Sequence, residues 1–150
     1  MDIISIRPLL AVLMGMAGAF FILLAGERHK NIRESSTILA SLAKFLIVLS
    51  MVPFVLEGKT LEYTLINFAP GLLLQFRVDS LGIFFGVLAS FLWVITSTYS
   101  IGYMRSLKEH AQTRYFFCFA IALSATMGIA FAGNLLTLFI FYEILTVSTY

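Results

Sequence analysis

The chain is short of charge, cysteine, histidine and proline. Of its 150 residues only 12% are charged, three are proline, two are histidine and one is cysteine. Soluble domains carry about 25% charged residues, so this poverty argues against an ordinary water-exposed surface. A single thiol, Cys118, excludes a disulfide framework and a cysteine-based metal site. Lying in an apolar run, it reads as a small packing residue rather than a reactive one. His29 and His110 both fall in charged stretches, so no pair of apolar-segment histidines is there to hold a haem. There is no P-loop, no G-x-G-x-x-G and no H-E-x-x-H, and no cofactor or metal is expected. The net charge of +2 is too small, and its basic residues too scattered, to argue for nucleic acid.

What the chain does have is grease: 60% hydrophobic residues and a mean hydropathy of +0.97. A bilayer span needs about 20 mostly apolar residues. Residues 8–26 carry no charge, 35–56 only Lys44, 80–104 none, and 115–150 only Glu143. The last run is too long for one helix, and Gly133–Asn134 is its natural break. The expected fold is therefore an all-α integral membrane protein of about five transmembrane helices, roughly 8–26, 36–56, 80–104, 115–132 and 134–150. The first run exceeds the roughly 7–15 residues of a signal-peptide core, and no A-x-A-type cleavage site follows it. Pro53 should kink or finish the second span.

Basic residues set the expected orientation. Arg28, Lys30 and Arg33 follow the first span, and Arg105, Lys108 and Arg114 follow the third; these two loops share a side. The other side holds Arg7, Lys59 and Arg77. The imbalance predicts an outside N-terminus and cytoplasmic basic loops, with His29 and His110 solvated there. In the long outer segment 57–79, EYTLINF and LLLQFRV are β-prone runs joined by Pro70–Gly71, a turn dipeptide. They predict either a short surface hairpin or an irregular loop. In the first span Ala11, Gly15 and Ala19 recur every four residues, a spacing that lets helix backbones approach closely.

Two charges lie inside spans. Glu143 sits about 13.5 Å along a helix that starts after Asn134, at about 1.5 Å per residue. That is near the middle of a hydrocarbon core about 30 Å thick, too deep for a short side chain to reach water. A charge there costs at least about 2.5 kcal/mol, so the residue should face a polar cavity, find a basic partner or hold a proton. Lys44 lies nearer the expected cytoplasmic end, and its long side chain is expected to snorkel there; pairing with Glu143 is the lesser alternative. Thr137, Thr146, Ser148 and Thr149 could solvate a water path beside Glu143 or bond back to their own helix carbonyls.

FRVDSLGIFFGVLASFLWVITSTYSIGYM (76–104) and RYFFCFAIALSATMGIAFAGNLLTLFIFYEILTVSTY (114–150) resemble the antiporter-like membrane subunits. These are shared by proton-pumping NADH:quinone oxidoreductases (complex I) and multisubunit Mrp-type cation/proton antiporters. R-V-D-S-L-G and N-L-L-x-L-F-I-F-Y-E-x-L-T-x-x-T-Y are the most specific pieces, and Tyr142 stands where many family members have tryptophan. The resemblance implies that Glu143 is the first acid of a proton pathway and that the partners are other membrane subunits of a complex. It implies protons, with or without a monovalent cation, as the transported ions, in a prokaryotic cytoplasmic membrane. The family's lysine two spans further on, and its later lysines and histidine, have no counterpart in these 150 residues. The chain thus reads as an N-terminal portion of such a subunit. The alternative is a non-transporting structural or assembly subunit, or a non-functional fragment. No redox active site is expected in this chain even if its complex is an oxidoreductase.

Overall fold

The computed structural model describes residues 2–69, 71–107 and 112–150, so Pro70, Lys108 and His110 lie outside the described residues. A short strand β1 (Asp2–Ile4) leads into helix α1 (Arg7–Ala25) and then α2 (Lys30–Leu49). A two-residue break separates α2 from the short α3 (Val52–Leu56), where Pro53 sits in the first turn. A proline is tolerated there because its missing N–H would have no helical partner anyway. Pro53 therefore restarts the helix rather than kinking it. Strands β2 (Thr60–Ala69) and β3 (Leu72–Val78) follow, then α4 (Ser80–Leu107), α5 (Gln112–Ala130) and α6 (Leu135–Thr149).

Four helical segments are long and apolar enough to cross a membrane: Arg7–Ala25, Lys30–Leu56, Ser80–Leu107 and Gln112–Ala130. The fifth, Leu135–Thr149, is apolar but shorter. Helix α1 packs against α2 and α5, α2 against α4, and α5 against α6. Large apolar side chains, including Phe20, Leu24, Leu46, Phe84 and Phe91, point outward from the bundle. A surface of this kind suits lipid and would be costly in water. Cys118 is on that outer face, exposed, and so is not the interior packing residue its surroundings predict.

The small-residue stripe does what its spacing predicts. Ala11, Gly15 and Ala19 are all buried. A Cβ on Gly15 would come within 2.7 Å of Lys44 Nζ and 2.8 Å of Ser124 Cβ. Gly128 plays the same part between α5 and α6, where a Cβ would collide with the Phe141 ring.

The outer segment forms the expected hairpin, β2 antiparallel to β3, with Gly71 at φ 89° in the turn. Strand β1 adds to it in parallel, Asp2 opposite Thr60 and Ile4 opposite Glu62, an element too short to announce itself in the sequence. The hairpin is tied to the helices by the turn between α5 and α6. There Gly133 N–H donates to the Gln75 carbonyl at 2.8 Å and Arg77 N–H donates to the Phe131 carbonyl at 2.8 Å. A side chain at Gly133 would collide with the Gln75 carbonyl at 2.9 Å, so the strand-like approach needs a glycine. Asn134 caps α6 by accepting from Thr137 N–H at 2.8 Å, and its amide donates to the Leu73 carbonyl at 2.5 Å. Replacing Asn134 with Ala should cost about 1–2 kcal/mol, a lost cap plus a carbonyl left unpaired. Asn134→Asp, which keeps the cap but not the donation to Leu73, should fall between the two in unfolding measured in detergent micelles.

Candidate functional site

Glu143 is exposed on α6, on a face shared with exposed Phe139, Thr146 and Val147. The opposite face buries Thr137 and Phe141 against α5 and β3. Among the described residues no side chain is hydrogen-bonded or ion-paired with Glu143. Thr146, Ser148 and Thr149 each donate to a carbonyl of their own helix, at 3.0 Å from Thr146 to Tyr142. Thr137 is committed elsewhere: its hydroxyl donates to Asn134 Oδ1 at 2.8 Å and accepts from Gln75 N–H at 3.0 Å. It fastens α6 to the hairpin, and a position six residues before Glu143 puts it about 9 Å away along the helix.

Lys44 departs from its expected place. It does not snorkel: the residue is completely buried, enclosed by α1, α2, α4 and α5. Its Nζ lies 3.9 Å from the centroid of the Trp93 ring and has no hydrogen-bond partner among the described residues. Around it are Gly15 of α1, Trp93 of α4 and Ser124 of α5, whose hydroxyl donates to the Val12 carbonyl at 2.5 Å. No carboxylate is among them, and Glu143 is not its partner.

The burial of Lys44 follows from a periodicity along α2. Arg33, Thr37, Ser41 and Lys44 recur at helical spacing and are all buried, so the inward face of α2 is its polar one. Helix α4 answers with buried Ser90, Trp93, Ser97 and Ser100. Trp93 Nε1 and Ser97 Oγ, like Lys44 Nζ, have no partner among the described residues. Ser100 exchanges a hydrogen bond with the Tyr115 hydroxyl at 3.2 Å.

At the basic-loop end this face meets a charged cluster. Buried Arg33 donates to Glu27 at 3.2 Å, to the Thr113 hydroxyl at 3.1 Å and to the Gln112 side chain at 2.6 Å. Its guanidinium also lies 5.5 Å from the Phe116 ring centroid. Glu34 is buried and paired with Arg105, whose Nε donates at 3.1 Å. Two of the expected loop cations thus tie helices together, Arg33 from inside the bundle and Arg105 from its exposed surface, while His29 is exposed as expected.

Glu27 also accepts from Thr113 N–H at 2.8 Å, capping the start of α5. That backbone bond, helped by the Thr113 hydroxyl and Arg33 and opposed by partial burial, holds its carboxyl below the ordinary 4.5. A carboxyl lowered by folding stabilises the fold above its ordinary value, and the contribution is lost as pH falls through the lowered one. Glu27→Gln should therefore flatten the pH dependence of unfolding below 4.5. Unfolding midpoints compared between neutral and acid pH check this.

The apolar exterior, the charged ends and the helix lengths define a multi-pass integral membrane protein. No family model matches the chain. Over 147 residues, 95% of this chain, it is 29% identical to the provisionally named antiporter subunit mnhA2 of Staphylococcus haemolyticus. Over 109 residues, 71% of this chain, it is 28% identical to Na(+)/H(+) antiporter subunit A1 of Staphylococcus aureus strains. The aligned parts make up 18% and 13% of those proteins, so the chain spans under a fifth of the length of these relatives. They bear out the resemblance to antiporter-like membrane subunits, and place the chain with multi-pass proteins of bacterial membranes.

Proposed function

We propose that the chain works within a multisubunit cation/proton antiporter of the membrane and contributes Glu143 to its proton pathway. The observation that carries this reading is the outward placement of Glu143: a carboxylate in an apolar helix, exposed, with no partner among the described residues. Bare lipid is the worst neighbour for such a group, at about 2.5 kcal/mol or more for a charge near the bilayer centre. A further membrane segment or subunit, bringing a basic group or water, resolves the cost. The same contact gives the carboxyl a reason to change protonation as a neighbouring charge moves. The antiporter names of the relatives favour exchange against a cation, sodium in the case of the Staphylococcus aureus protein, over coupling to quinone chemistry.

Thr146 and Tyr142 are exposed neighbours of the carboxyl on α6. Glu143→Gln keeps the size and polarity of the side chain but cannot carry the proton. Proton movement in vesicles containing the assembled complex should fall by about a hundredfold, with the complex still forming. Undiminished movement would remove Glu143 from the pathway. A Glu143→Ala change that blocks assembly, but leaves movement normal in whatever complex forms, would support a purely structural subunit instead.

A further inference from the structure

We propose that α1, α2, α4 and α5 enclose a wetted polar seam that runs inward from Arg33 and delivers protons to Lys44, a second protonable group separate from Glu143. The proposal rests on the reading of the chain as part of a proton-moving complex, but not on Glu143.

The first support is the line of buried polar groups. On α2 it runs from Arg33 through Thr37 and Ser41 to Lys44. That is about 16 Å at about 1.5 Å per residue, roughly half of a hydrocarbon core about 30 Å thick. Facing it, α4 supplies Ser100, Ser97 and Trp93, and α5 supplies Ser124. Thr37 and Ser41 donate to carbonyls of their own helix, which leaves their oxygens able to accept.

The second support is what these groups lack. Arg33 Nε, Lys44 Nζ, Trp93 Nε1 and Ser97 Oγ are buried without a hydrogen-bond partner among the described residues. Buried polar atoms in folded proteins are almost always paired, with protein or with ordered water. Four orphans along one polar line, three of them donors that only an acceptor can satisfy, call for water rather than for coincidence.

Magnitudes point the same way. A lysine charge at mid-bilayer costs about 2.5–3.5 kcal/mol on insertion scales. A desolvated cation–π contact such as that with Trp93 returns about 2 kcal/mol. The ring alone does not balance the ion, and among the described residues no carboxylate is hydrogen-bonded or ion-paired with it. From α1, α4 and α5 its surroundings are Gly15, Trp93 and Ser124; the nearest charges along the line are Arg33, Glu34 and Arg105 at its end. Water accepting from Nζ stabilises the ammonium and gives its proton somewhere to go. The ammonium passes one proton to water, leaving a neutral amine and a hydronium, and recovers it by the reverse step. Gly15 keeps the space open, since any side chain there would occupy the position of Nζ.

The test uses membranes holding the assembled complex, in a Cys118→Ser background that removes the exposed native thiol. N-ethylmaleimide reacts with the thiolate, which forms only where water reaches it. Ser97→Cys should react about tenfold faster than Ile95→Cys, two residues away on the outward, lipid-side surface of the same helix. Ser124→Cys should match Ser97→Cys. Equal rates at the buried and outward positions would overturn the seam. In the unaltered chain, Lys44→Met should lower proton movement about tenfold, and undiminished movement in an assembled complex would overturn the role of Lys44. If Lys44→Met fails to assemble, Ser97→Val, which replaces an orphan hydroxyl by a methyl in the seam, carries the same expectation and the same refutation. The labelling reads the seam whatever Glu143 does, and a complex silenced by Lys44→Met but not by Glu143→Gln separates the two proposals.

Discussion

A lysine side chain buried among four greasy helices governs how the others are built. Lys44 Nζ can occupy the bundle only because Gly15 has no side chain, Trp93 offers a ring face and Ser124 turns its hydroxyl away to Val12. That arrangement sets the polarity of the whole assembly. Helix α2 must turn its polar face inward, and its apolar residues, Leu39, Leu42 and Leu46 among them, outward. In lipid this inversion is consistent, because the surroundings reward apolar surface while polar groups are expensive anywhere but inside.

The two ends of the bundle are closed by different means. At the basic-loop end, ion pairs and charge-assisted bonds from Arg33 and Arg105 hold the helix termini together. At the other end a small sheet does the work, docked through Gly133, Asn134 and Thr137 onto the turn between α5 and α6. Because that turn is pinned by backbone bonds, the start of α6 is fixed, and with it the direction in which Glu143 faces. The carboxyl points away from the polar seam, so the two intramembrane charges do not form one site within this chain.

Much of this was legible in the residues. Uncharged runs of span length located the helices, Gly133–Asn134 located the turn, and two β-prone runs joined by Pro70–Gly71 pointed to a hairpin or an irregular loop, of which the hairpin is found. Ala11, Gly15 and Ala19 announced a close helix contact. Strand β1 was not legible because three residues carry no period, and its pairing with β2 is settled by tertiary context. Lys44 was misplaced for a more instructive reason. Depth along a helix says how far a side chain is from water, but the face it occupies says whether it can go there. Arg33, Thr37, Ser41 and Lys44 share a face, and that face is enclosed. Arg33 and Arg105 were read as loop charges, since ion pairs between segments distant in sequence leave no local pattern.

Glu143, turned outward from its own chain, is proposed to exchange a proton inside the membrane. Infrared difference spectroscopy of the assembled complex, stepped in pH and compared with Glu143→Gln, observes that carboxyl directly. A protonated-carboxyl band that comes and goes with pH, and is missing from the variant, is the predicted result. A carboxyl that stays in one protonation state throughout the range in which the complex moves ions would contradict it.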